Sequence, residues 1–238
     1  YLLCAIAILP QIYIIYLSFR NSKGSLFGVG YSLINYQSAL KKKLVLASRN
    51  TLVMGIIALA VIIVIAVVLA YLVVRRNNAL NHSLDTIAML PYIMPGAVIG
   101  IALLIAYGSK PIALTGTMAI MIMSFAIRRM PYTIRSATAT LMQIPISIEE
   151  AAISLGASKL KTFVKITVPM MSNGILSGAI LSWVAIVTEL SSSVILYSNK
   201  TTTLTMQAYI YIGRGEYGTA AAFAAILTVI TALSLFLY

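Results

Sequence analysis

Glu149-Glu150-Ala151-Ala152-Ile153-Ser154-Leu155-Gly156, continued to Ile166-Thr167-Val168-Pro169, is a polar island between apolar runs that are each long enough to cross a bilayer. Ser147 stands three residues before Glu150, the spacing of a capping box. There the hydroxyl accepts from the amide of residue 150 and the carboxylate from that of residue 147. Ile148, Ala151, Ala152 and Leu155 recur at i, i+3, i+4 and i+7, which predicts one apolar face of a short helix. Gly156 supplies the left-handed residue on which that helix can stop and turn. Ser158 is placed to cap a second short helix through Lys159, Lys161 and Lys165, and Pro169 should end it. The expectation is a helix-turn-helix on a membrane surface, apolar on one side and charged on the other.

Composition sets the class. The chain has 238 residues, is 61% hydrophobic and only 9% charged, and has a mean hydropathy of +0.98. A soluble domain would be about half apolar and about a quarter charged, so this is a membrane protein. The net charge of +12 does not point to nucleic acid, because the basic residues stand at the ends of apolar runs. There they meet anionic lipid headgroups. One cysteine, Cys4, excludes a disulfide framework within the chain and most metal clusters. His82 and five acidic residues leave little material for acid–base chemistry. No phosphate loop of the Gly-x-x-x-x-Gly-Lys-Ser/Thr type occurs, nor His-Glu-x-x-His or Gly-x-Ser-x-Gly, so no catalytic residue, metal site or ATP site is expected in this chain. Tyr1 and Tyr238 both fall inside apolar segments and no signal peptide is visible, so a piece of a longer polypeptide is expected.

Apolar runs predict an all-α membrane protein with six spans, at about 2–19, 49–74, 84–107, 114–128, 170–196 and 217–238. Pro10 should kink the first. Asn50-Thr51 should open the second and Arg75-Arg76 close it. Pro91 and Pro95-Gly96 should bend or break the third. The fourth is short, but its helix can continue past Arg128-Arg129 and Pro131 towards Leu141. The island forms the loop 142–169. Residues 20–48, with the run Lys41-Lys42-Lys43, and 197–216 are expected to be polar loops on the opposite side of the membrane. Lys and Arg number eight on the island's side and nine on the other, so charge bias does not orient the chain.

Glu189 is the one acid well inside an apolar run, about 30 Å of helix beyond Pro169. Ionisable residues in spans are functional candidates, and Thr188, Ser191, Ser192 and Ser193 beside it make a polar cluster that suits a solute path. The same groups also suit hydrogen bonding between helices. Arg128 and Arg129 are expected to snorkel to headgroups. His82 is expected in a solvated inner loop, Trp183 in packing, and Met118, Met121 and Met123 in the core or facing lipid.

Glu150-Ala151-Ala152, three residues, Gly156, nine residues, then Ile166-Thr167-Val168-Pro169 resembles the signature loop of importer permeases of the ATP-binding-cassette class, with Val168 where Leu is usual. Tyr31-Ser32-Leu33-Ile34-Asn35-Tyr36 is similar to the segment after their first span. The resemblance implies the six-span, MetI-like fold of type I importers in a bacterial cytoplasmic membrane. It also implies a cytoplasmic loop docked on a separate ATPase dimer through Glu149, Glu150, Ala151, Ala152, Gly156, Ile166 and Pro169. ATP and Mg would sit on that partner, a solute-binding protein outside, and a second permease half, fused or a second copy, alongside. Thr188 to Tyr197, Thr203-Leu204-Thr205 and Gly215 to Ala222 look like the ferric-iron branch, close to permeases for phosphonates, phosphorylated sugars and thiamine. Two other classes compete. An ion-coupled transporter would use Glu189 as its proton carrier, and an intramembrane enzyme would need a second catalytic group beside it.

Overall fold

Long runs of Leu, Ile, Val and Ala without internal breakers form long helices, and the polar interruptions set where they stop. The structure, a computed structural model, describes residues 2–41, 43–76 and 78–236. Lys42 of the basic run and the chain ends at Tyr1 and Tyr238 lie outside the described residues.

In chain order, α1 (Leu2–Phe19) leads into a hairpin of β1 (Arg20–Lys23) and β2 (Leu26–Tyr31), then α2 (Ile34–Lys41) and α3 (Leu44–Arg75). The third expected span is two helices, α4 (Ala79–Ile93) and α5 (Gly96–Ala106), separated at Met94, whose ψ of 137° is extended before Pro95. A turn leads to α6 (Met118–Met142), an unbroken helix through Arg128, Arg129 and Pro131, as its sequence allowed. The island follows as α7 (Ile146–Ser154), α8 (Lys159–Thr162), a π-helical turn (Phe163–Thr167) and α9 (Val168–Met170). The chain closes with α10 (Ser172–Val187), α11 (Ser193–Leu196), α12 (Leu204–Gly213) and α13 (Tyr217–Phe236).

Several expectations are corrected. The antiparallel hairpin departs from an all-α chain. The fifth span ends at Val187 and resumes only as the single turn of α11. Residues 197–216 are not simply a polar loop, since α12 buries Leu204, Met206, Gln207, Ala208 and Tyr211. His82 lies in α4 rather than in a loop. By length and apolarity, two described helices (Leu44–Arg75 and Tyr217–Phe236) can each cross a membrane alone, and up to four crossings result if each of two bent pairs is one span. The count of six spans is therefore not confirmed on apolar length among the described residues, where α6 carries three arginines.

The chain divides into two compact units. One comprises Tyr1–Gly55, Gly100–Met121 and Val187–Tyr238. Its core joins Ala39, Leu44, Ala47, Leu204, Ala208, Tyr211 and Phe223, with the Tyr211 and Phe223 rings stacked 5.6 Å apart. Asn50 and Thr51 do not open α3, which starts six residues earlier at Leu44. Both are buried, and they hold the segment before α12. The Asn50 amide donates to the carbonyls of Lys200 (2.8 Å) and Thr202 (2.9 Å), and Thr51 Oγ1 accepts from Leu204 N at 3.0 Å. Buried backbone groups must find such partners.

The other unit comprises Ile56–Ile99 and Ile122–Ile186. Its core joins Val67 and Ala70 of α3, Ala137 and Leu141 of α6, Ile144, Met171 and Ile175. α10 lies close on α6 through Gly174, Gly178 and Ser182. A Cβ on Gly178 would stand 2.7 Å from Thr133 Cα, and Thr133 and Ser182 share a hydrogen bond of 2.8 Å. Small residues every fourth position are how helices approach in lipid.

Candidate functional site: the 142–169 loop and its socket

After α6 the chain turns through Gln143 and Ile144, and Pro145 takes the N-cap position of α7 with φ −61° and ψ 137°. The capping box is absent. Ser147 lies inside the first turn and no side-chain cap bond forms. Proline, with φ already fixed and no N–H to leave unpaired, starts the helix two residues before the serine. At the other end the expectation holds. Gly156 has φ +89°, and Gly156 N donates to Ile153 O (2.9 Å) and Ala157 N to Ala152 O (3.0 Å). That is a Schellman motif.

Ser158 caps α8, its Oγ accepting from Lys161 N at 3.3 Å. Pro169 does not end the second arm but sits within α9. The preceding π turn, closed by Val168 N on Phe163 O, widens the helix where the proline ring would crowd the Lys165 carbonyl. The break comes at Met171, where the arm bends 66° into α10.

The inward face of α7 differs from the one the periodicity implied. Ile148 and Ala152 are half-buried, but Ala151 is exposed and Leu155 is 90% exposed. Glu149, only 6% exposed, faces inward instead. Its Oε1 accepts from Arg75 Nε at 2.8 Å and its Oε2 from Tyr71 OH at 3.2 Å. Arg75 also donates from Nη2 to the Ile144 carbonyl at 2.9 Å. Tyr71 meets Phe163 of the second arm edge to face, with centroids 4.7 Å apart. A buried carboxylate is tolerable only when paired in this way.

With Glu149 inward, Glu150 is exposed, and the loop presents Ala151, Ile153, Leu155, Leu160 and Val164 to the outside. Ile166 is half-buried and Pro169 exposed. This is an apolar surface flanked by the exposed Glu150, Lys159, Lys161 and Lys165, of the kind that marks a protein or membrane contact. Sequence reasoning missed Tyr71 and Arg75. Arg75 reads as a flank of an apolar run, and only the i, i+4 spacing of the two on one helix face hinted at a shared task.

The second candidate cluster is partly assembled. Glu189 is 3% exposed, and its Oε1 accepts from Ser192 N (3.1 Å) and Ser192 Oγ (3.3 Å). Ser193 Oγ donates to the Glu189 carbonyl at 3.1 Å. Ser191 is exposed. The carboxylate thus holds the backbone of the break between α10 and α11. Among the described residues no group of three or more His, Cys, Asp or Glu could hold a metal ion.

Residues 62–238 match the family described as "Binding-protein-dependent transport system inner membrane component". The chain is 33% identical over 210 residues to the ferric transport system permease protein FbpB of Actinobacillus pleuropneumoniae, covering 88% of this chain and 29% of that protein. It is 31% identical to a putative ferric permease, FbpB 1, of Haemophilus influenzae, covering 75% of this chain and 30% of that one. The chain therefore spans under a third of the length of these ferric relatives. A molybdate/tungstate permease, WtpB of Pyrococcus abyssi, is 29% identical over 68% of this chain and 65% of its own length. Among solved structures, a bacterial ABC transporter that imports the acidic polysaccharide alginate superposes with a TM-score of 0.76 at 15% identity, covering 99% of this chain and 91% of its own. The methionine transporter MetNI in inward-facing form gives 0.68 at 18%, covering 85% and 94%.

Proposed function

Because this chain belongs to the family of binding-protein-dependent transport system inner membrane components, we propose that it forms the membrane path of an ATP-driven importer and takes its energy from a separate ATPase through residues 142–169. The observation that carries this is the exposed apolar face of α7 and α8 beside Glu150, with Glu149 turned inward. In this reading Glu150, Ala151 and Ala152 meet a cleft on the ATPase. Gly156 fixes the angle between the arms, and Ile166 and Pro169 seat the second arm. ATP and Mg belong to the partner dimer, and a solute-binding protein delivers cargo on the far side. A second six-span half, on the same polypeptide or a second copy, completes the path across a bacterial cytoplasmic membrane.

Ferric iron is the cargo we favour, supported by identities of 33% and 31% to ferric permeases. An oxyanion is the alternative that the molybdate/tungstate relative supports. We put the path at residues 188–193, since broken helices in transporters line a cavity. Glu189 and its serines stand there, and Ser191 is the exposed member. Cysteines at Ser154 or Ser158, in a Cys4→Ser background, should cross-link to a nucleotide-binding subunit. Failure to capture one would leave the loop a mere surface amphipath. Uptake into vesicles should need internal ATP and survive collapse of ion gradients, whereas gradient-dependent uptake without ATP would establish the secondary-transporter reading.

A further inference from the structure

α7 has a pivot at each end: the turn through Gln143 to Pro145 before it and the left-handed Gly156 after it. A nine-residue helix hung between two such points would rock about its ends when pushed, and the push would be lost in the loop. One attachment along its length opposes this. Glu149, near the middle, reaches into the last turn of α3, where Tyr71 and Arg75 stand four residues apart on one face. The ion pair is enclosed, with side-chain exposures of 10% for Arg75 and 8% for Glu149. Its geometry is shared, because Arg75 also grips the Ile144 carbonyl and so holds the first pivot itself. Tyr71 meanwhile packs on Phe163 and ties in the second arm. Every polar bond from the inward face of α7 that the described residues show thus ends on two side chains of α3.

We propose that the Arg75–Glu149 pair, braced by Tyr71, is a transmission latch that makes α3 follow α7, so that movement forced on the exposed face of the loop reaches a 32-residue helix as a rigid displacement. The two neighbouring glutamates then divide the work: Glu150 faces the ATPase, and Glu149 is a positioning residue that faces the permease's own helix. The proposal rests on the permease reading above and deepens it. Packed elements with two discrete arrangements carry coupling in this way, and a single polar link can set its strength.

The test uses the full permease with its ATPase in proteoliposomes, with spin labels at Ser154 on α7 and Val68 on α3 in a Cys4→Ser background. Glu149→Gln combined with Arg75→Met removes both charges and leaves no unpaired ion. In the wild type the label distance should be the same without nucleotide and with ATP trapped. In the double variant it should shift or broaden, and solute moved per ATP hydrolysed should fall about tenfold, within the usual range of coupling effects, while the ATPase still copurifies. A fixed distance in the double variant would mean that apolar packing holds α7 alone, and the proposal fails. So it does if the distance changes with ATP in the wild type, or if the labels move without loss of solute per ATP. Should the wild-type permease capture no ATPase, the functional reading is what fails. The label distribution in permease alone, narrow in wild type and broad in the double variant, then still decides the latch.

Discussion

At the scale of single residues, two adjacent glutamates carry opposite environments: Glu149 is 6% exposed against a guanidinium, and Glu150 is exposed. Because Glu150 makes no cap bond, Glu150→Lys should change stability by no more than about 0.5 kcal/mol, the usual scale for a surface substitution. It should nevertheless abolish solute-stimulated ATP hydrolysis in the assembled importer, and normal stimulation would remove the docking role. Glu189→Gln keeps the shape of the carboxylate and drops its charge. With Ser192 N and Oγ still able to donate to its amide oxygen, assembly and basal hydrolysis should persist while uptake of a cation falls. Unchanged uptake, measured with ferric iron as the probe, would make Glu189 a brace for the break and remove it from the path. Asn50→Ala should cost about 1–3 kcal/mol in a detergent melt, because the buried Thr202 carbonyl and the part-buried Lys200 carbonyl lose their donor.

At the scale of elements, the approach of α10 to α6 depends on the absence of side chains at Gly174 and Gly178. Gly178→Leu places its Cβ against the Thr133 backbone, which cannot yield as a side-chain tip can. Overpacking of this kind costs about 1–3 kcal/mol, so the variant should show a lower melting temperature and reduced membrane level. The turn between α7 and α8 has a separate weakness. Proline needs φ near −65°, and Gly156 has +89°. Gly156→Pro should therefore reset the angle between the arms and lose ATPase capture, read by copurification, while the span helices and membrane insertion remain. The periodicity of the island predicted α7, its stop at Gly156 and the Ser158 cap. It did not foresee the proline start or the π turn, since both depend on competition among neighbours within a few residues rather than on any one motif.

At the scale of the whole molecule, family membership and a TM-score of 0.76 to an importer permease agree with what hydropathy and the island implied. The membrane class, the long apolar helices, the break before Pro95 and the place of the loop with its left-handed glycine were all legible along the chain. Those features follow from local hydropathy and backbone stereochemistry, which need no distant partner. Which glutamate turns inward was settled by long-range packing, because Arg75 lies 74 residues before Glu149 and nothing in the spacing pairs them. The tertiary structure likewise made Asn50 and Thr51 the anchors of a segment about 150 residues later, and buried α12 where a polar loop was expected. A polar side chain in an apolar run advertises that it needs a partner. Which partner it finds depends on chain segments that only folding brings within hydrogen-bond reach.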